Sequence, residues 1–237
     1  IEAGQTPDDL AAVAELPLPD TVRQAVQTRL SRLGSQARQV LETGALLRAP
    51  FGFDLVQQTA GRRKMETMDA LDELVARYLL VEQPSGYRFR HDLIRQATEA
   101  ALSPVRCQLL QRRAGRALER LAPDAVVEVA HHFDAGGEPK KALHYHVLAA
   151  QKAEAVFAWR EAEQHQSRIL GLLDQLDPTC SQPASLAQRG QVLAGRAHQR
   201  FLQGRFAERD ADLEALAALA EVGDDDDLRQ QALLHQT

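Results

Sequence analysis

The stretch Leu79-Leu80-Val81-Glu82-Gln83, Pro84-Ser85-Gly86, Tyr87-Arg88-Phe89-Arg90 most constrains this fold. It is strand-like, with a turn in its middle, while the segments on either side repeat with the period of a helix. It predicts two short strands joined by a tight turn. The next residues, His91-Asp92-Leu93-Ile94-Arg95, open a helix carrying Leu93, Ile94, Ala97 and Ala101, with Asp92 expected as its N-cap.

Upstream, the sequence reads as a connector followed by short helices. Residues 1–18 are rich in alanine and acid, and Leu16-Pro17-Leu18-Pro19 is extended because each proline disfavours helix in its predecessor. Asp20 or Thr21 opens a helix with the stripe Val22, Val26, Leu30 and Leu33, ended by Gly34. Ser35 is expected to cap a second, with Ala37, Val40, Leu41, Gly44 and Leu47 on one side, broken at Ala49-Pro50-Phe51-Gly52. Asp54 is expected to cap a third, Leu55 to Ala60, closed by Gly61. A fourth, Lys64 to Tyr78, has Met65, Met68, Leu71, Val75 and Tyr78 as its expected inward face. Helices followed by a hairpin predict a winged-helix domain over residues 19–102.

Downstream, Ser103-Pro104 is a strong start signal, a serine cap with proline at the first helical position. That helix runs to Leu121 with Leu110, Ala114, Ala117, Leu118 and Leu121 aligned. Further helices are expected over Asp124 to Phe133, Lys140 to Ala158, Glu161 to Leu176, Ser185 to Gln203 and Phe206 to Val222. Ala130, Phe133, Ala142 and Ala149 fit a tetratricopeptide spacing, and Ala150, Ala153 and Ala162 fit it again, although the frames overlap. Similar corners occur at Phe157-Ala158-Trp159-Arg160-Glu161 and Gly204-Arg205-Phe206-Ala207-Glu208. Residues 103–237 therefore read as degenerate tetratricopeptide-like hairpins forming an α-solenoid, cut short at the C-terminal end. The expected fold class is mostly α.

At 237 residues, with 44% hydrophobic and 26% charged side chains, the chain can bury a real core in about two domains. No apolar run is long enough to span a bilayer and no signal-peptide pattern opens the chain, so a cytoplasmic protein without membrane contact is expected. Cys107 and Cys180 lie too far apart for a redox or zinc motif. Through Arg120 there are 17 basic and 15 acidic residues, against 11 and 18 thereafter, so neither part has the basic excess of a nucleic-acid binder.

Several segments resemble the region that follows the nucleotide-binding core in STAND-class signalling ATPases, especially large bacterial transcriptional regulators with a C-terminal repeat sensor. They are Leu18-Pro19-Asp20-Thr21-Val22-Arg23, Arg29-Leu30-Ser31-Arg32-Leu33, Ala70-Leu71-Asp72-Glu73-Leu74, Tyr87 to Arg95, and Val129-Ala130-His131-His132-Phe133. The similarity covers about two thirds of the chain and is strongest from Pro19 to Ala150. Arg90-His91-Asp92 is similar to that family's Met-His-Asp motif, with arginine in place of methionine. The resemblance implies that His91 reaches the β-phosphate of bound ADP, that Asp92 fixes the loop presenting it, and that Arg90 adds a phosphate or acidic-surface contact or points to water. An imidazole N–H can donate to a phosphate oxygen. No GxxxxGK[ST] loop occurs, so this chain is expected to hold no cofactor itself; ATP or ADP would be held by an NTPase domain upstream of Ile1. The implied partners are that domain and a protein or small-molecule inducer on the repeats.

Other chemistries fare worse. The fourth helix bears Glu66, Asp69, Asp72 and Glu73 against Lys64 and Arg77, the wrong sign for a DNA backbone. The stripe Arg112, Arg116 and Arg120, with Arg106 and Arg113, reads as a solvated or domain-facing side. His131, His132, Asp134, His144 and His146 do not converge as metal ligands, because adjacent helical residues point about 100° apart. No paired acid and base or nucleophile appears, so no catalytic residue is assigned and a non-enzymatic segment is expected. The alternative readings are a DNA-binding winged helix fused to a repeat dimeriser, and the same module attached to a kinase or cyclase.

Overall fold

The computed structural model describes residues 28–223. The expected connector 1–18, the first part of the first helix with Val22 and Val26, and residues beyond 223 lie outside them. The described chain is mostly helical, with a small two-stranded antiparallel sheet. After a helical end over 28–31 come α1 (Ser35–Leu46), α2 (Phe53–Ala60), α3 (Lys64–Ala76), β1 (Leu80–Gln83), β2 (Gly86–Phe89) and α4 (Asp92–Ala100). Then follow α5 (Pro104–Leu121), α6 (Val126–Ala135), α7 (Pro139–Ala155), α8 (Trp159–Leu176), α9 (Pro183–Leu202) and α10 (Phe206–Gly223). The chain divides into two compact units between Leu110 and Gln111, within α5.

The first unit is built around α1, which buries Ala37, Val40, Leu41, Ala45 and Leu46 and packs on α2, α3 and α4. Its N-cap is Gly34 in extended backbone, so Ser35 stands inside the first turn and caps nothing. Asp54 is likewise inside α2, behind the N-cap Gly52, where its negative charge suits the positive end of the helix. In α3 the buried face is Thr67, Ala70, Leu71 and Leu74, whereas Met65, Met68 and Tyr78 are exposed. The expected inward face is thus rotated, sharing only Leu71 with the buried one. Thr67 enters the core because its Oγ1 donates to the Arg63 carbonyl at 3.0 Å, which removes the cost of burying a hydroxyl.

The hairpin pairs Leu80 with Phe89 and Gln83 with Gly86, leaving Pro84-Ser85 as the turn. Phe51 adds a third edge: its N–H donates to the Tyr87 carbonyl and its carbonyl accepts from the Tyr87 N–H, both at 2.9 Å. The Phe51 ring lies over Gly44, where a Cβ would come within 2.7 Å of it, and beside Phe89 and Tyr87 at 6.4 and 6.5 Å between centroids. Glycine at position 44 is what lets this aromatic wedge close on α1. Helix α4 turns Ile94, Ala97 and Thr98 inward, while Leu93 and Ala101 face out.

Ser103 begins α5 as expected, its Oγ accepting from the Arg106 N–H at 3.3 Å. In the second unit, successive helices from α6 to α10 pack on one another. Ala130, Phe133, Ala142, Ala149, Ala150, Ala153 and Ala162, chosen from spacing alone, are all buried. Leu121 is exposed instead of aligned inward. Three corners share one geometry: Gly137, Phe157 and Gly204 each hold a left-handed φ (69°, 59° and 71°), and the next helix starts two residues later. The α8–α9 connection differs, carrying its left-handed residue at Cys180.

Candidate functional site

Strand β2 ends on buried Phe89, and the chain is then pinned by the Arg90 N–H donating to the Leu79 carbonyl at 3.0 Å. These two anchors hold the next residues at the surface. His91 is exposed and extended (φ −138°, ψ 135°), occupying the N-cap of α4. Its carbonyl accepts from the Ile94 N–H at 3.0 Å, but its imidazole has no partner among the described residues.

Asp92 is the first residue of α4, so it does not cap the helix as expected. Its Oδ1 accepts from Arg95 Nε and its Oδ2 from Gln96 Nε2, both at 2.6 Å, and Arg95 also donates to Glu99 at 2.7 Å. The Arg95 hydrogen bond holds the Asp92 carboxyl below its ordinary pKa despite partial desolvation. The carboxylate thus braces the first turn beneath His91 through i+3 and i+4 contacts. Arg90 lies with its guanidinium 5.3 Å from the ring centroid of Tyr78, an exposed residue held at φ 58°. A cation–π contact of this kind is worth roughly 0.5–1 kcal/mol at an exposed site. The exposed imidazole is therefore flanked by a guanidinium on an aromatic ring and a braced carboxylate. The arrangement offers hydrogen-bond donors to an anionic group and brings no nucleophile or acid–base pair together.

The other candidate clusters are in large part tied up internally. On α3, Asp69 and Asp72 are exposed, while Glu73 pairs with Arg77 at 2.8 Å and Glu66 lies 3.7 Å from Arg62. Arg106 pairs with Glu42 at 2.7 Å, and Arg112 and Arg116 pair with Glu138 at 3.2 and 3.3 Å, so much of the basic stripe is neutralised.

The histidines scatter into separate contacts. His132 Nδ1 lies 2.5 Å from Gln111 Oε1, and burial, with a smaller push from His131, lowers its pKa from 6.5 to about 4. His146 Nδ1 lies 2.9 Å from His165 Nδ1, and burial followed by the His165 charge lowers the pKa of His146 from 6.5 to about 4. Its Nε2 stands 3.6 Å from Asp134, too long for a hydrogen bond, while Asp134 is taken by Arg168 at 2.5 Å. Among the described residues no three histidine, cysteine or acidic groups come together to hold a metal, and Cys107 and Cys180 are free thiols.

A polar network across α8, α9 and α10 has no counterpart in the sequence reading. Asp212 accepts from Arg196 at 2.5 Å and Arg200 at 2.8 Å, and Glu163 accepts from Arg200 at 2.8 Å and Arg205 at 2.5 Å. Directly bonded partners in it are up to 42 positions apart, so local spacing carries no sign of it.

No helix among the described residues is long and apolar enough to cross a membrane. No family model, curated protein or solved structure matches the chain.

Proposed function

We propose that this chain is the regulatory and sensor segment of a STAND-type ATPase transcriptional regulator. In this reading residues 19–102 are a winged helix that latches the ADP-bound state through His91. Residues 103–237 are a degenerate tetratricopeptide-like solenoid that binds an inducer or partner protein. The segment is non-enzymatic and cytoplasmic, and it works against a nucleotide-binding domain of the same protein.

The observation that carries this reading is the exposed imidazole of His91 at the head of α4, without a partner among the described residues and set between Arg90 and the braced Asp92. An imidazole N–H there is positioned by backbone and helix yet not consumed by them, which suits a phosphate oxygen supplied by another domain. The third strand edge at Phe51 also favours a winged helix over a bare hairpin. The exposed carboxylates of Asp69 and Asp72 on α3 weigh against the DNA-binding alternative.

The physics of the latch is a population shift. An ADP contact made only in the closed state favours that state by the free energy of the contact, and inducer bound to the open state opposes it. A hydrogen bond to a charged group is worth roughly 1.5–3 kcal/mol, equivalent to about ten- to 150-fold in ADP release. In the intact parent protein, His91→Ala is expected to accelerate release of a fluorescent ADP analogue within that range and to raise basal activity. His91→Gln, which keeps an N–H donor, should recover part of the effect. Release unchanged within about twofold in His91→Ala would overturn the latch.

A further inference from the structure

The arginines of α8, α9 and α10 and the turn between α9 and α10 follow a rule with one exception. Arg168, Arg189, Arg196, Arg200, Arg205 and Arg209 each meet at least one carboxylate. Arg160 meets none among the described residues and is exposed. It is also the second residue of α8, where a cation opposes the positive end of the helix dipole. An unpaired guanidinium at that end does nothing for the helix.

Arg160 opens onto a cavity of about 540 Å³ whose other lining residues are Glu163, Gln164, Ser167, Gln203 and Arg205. Every lining residue is of a polar or charged type, and their alkyl stems supply much of the wall between the polar groups. The Glu163 carboxylate is already occupied on both oxygens by Arg200 and Arg205. Ser167 Oγ accepts from Arg196 at 3.0 Å, which leaves its own proton free to donate. Nearby Arg196, Arg200 and Arg205 are each paired with Glu163, Glu208 or Asp212, so Arg160 is the guanidinium of this neighbourhood left without a carboxylate partner among the described residues.

We infer that this cavity binds a small hydrophilic organic anion, its carboxylate or phosphate forked by Arg160 and its hydroxyl groups hydrogen-bonded by Ser167, Gln164 and Gln203. A planar guanidinium matches either oxyanion bidentately. The inference deepens the sensor role proposed above and rests on it only for the biological meaning of the site; binding itself is a property of this chain.

The test uses the full 237-residue chain without nucleotide. Glycerol 3-phosphate and glycerate are titrated calorimetrically as the two oxyanion arms, with glycerol as the uncharged control. At least one acid is expected to bind at one site per chain with a Kd below about 1 mM, and glycerol at least about tenfold more weakly. The arm that binds identifies the oxyanion. Arg160→Gln is expected to weaken binding by about tenfold or more without lowering the melting temperature, because it removes an unfavourable charge from a helix start. Ser167→Ala is expected to weaken it about threefold. No binding of either acid at about 10 mM, equal binding of glycerol, or unchanged affinity in a folded Arg160→Gln chain would overturn the inference. These results are independent of ADP release from His91 variants, so failure of the site and failure of the latch are separately visible.

Discussion

Acid should destabilise the second unit through two buried histidines, by an amount that the structure sets. His132 and His146 are 4% and 7% exposed, and burial is the leading cause that lowers each from 6.5 to about 4. In the unfolded chain each takes up a proton near its ordinary pKa, so between about pH 6.5 and about pH 4 the unfolded state binds more protons. Stability is therefore full above about pH 6.5 and falls as pH drops towards about 4. Integrating this linkage gives about 2 kcal/mol per histidine between about pH 7.5 and about pH 5, or about 4 kcal/mol for both. His165 is also lowered by burial and acts in the same direction. Asp134, held low by Arg168 against the cost of burial, loses its contribution only at lower pH and leaves this window unaffected. Trp159, the one tryptophan in the sequence, lies at the start of α8 and reports this unit in urea titrations. Replacing His132 and His146 with asparagine, singly and together, should remove about half and then most of the pH slope. A wild-type stability flat within about 0.5 kcal/mol across the window, or an undiminished slope in the double variant, would refute the reasoning.

Two further perturbations test the packing of each unit. Gly86 has φ 132°, and a Cβ there would stand 2.4 Å from the Phe51 carbonyl oxygen, so Gly86→Ala should cost at least about 2 kcal/mol. Denaturation followed by circular dichroism, with faster exchange of the Tyr87 amide, checks this; a loss under about 0.5 kcal/mol would contradict it. Asp212 is 2% exposed and neutralises Arg196 and Arg200, so Asp212→Ala should cost about 3 kcal/mol by leaving Arg196 without a carboxylate and Arg200 with Glu163 alone. Trp159 fluorescence in urea is the readout, and a loss under about 1 kcal/mol would mean that the network relaxes freely.

Helix positions were legible because breakers and start signals act locally. Gly34, Pro50, Gly61, Ser103-Pro104 and Pro139 all fall at or near the observed ends. Caps were misplaced by one or two residues where Gly34, Gly52 and His91 took the extended cap position and left Ser35, Asp54 and Asp92 inside the helix. The face of α3 was misread because methionine outranks threonine in hydropathy, whereas Thr67 satisfies its hydroxyl on its own helix. The corner at Phe157 was visible from its likeness to the one at Gly204, but the helix before it was carried on to Ala158 because a non-glycine residue takes the left-handed conformation there. Of the candidate site, the tripeptide was visible in the sequence. Its bracing was not fully so: Arg95 and Gln96 sit at readable helical offsets from Asp92, but Tyr78 meets Arg90 only through the fold of the hairpin. The pairing of Phe51 with Tyr87 and the network through Glu163 and Asp212 likewise depend on tertiary contacts that no local pattern encodes.

The central claim is a contact between His91 and a nucleotide phosphate, and a high-resolution structure of the ADP-loaded parent protein measures it directly. The account predicts an imidazole nitrogen of His91 within about 3.2 Å of a β-phosphate oxygen, presented from the head of α4. A ring more than about 6 Å from every phosphate oxygen, with nucleotide bound, would contradict it.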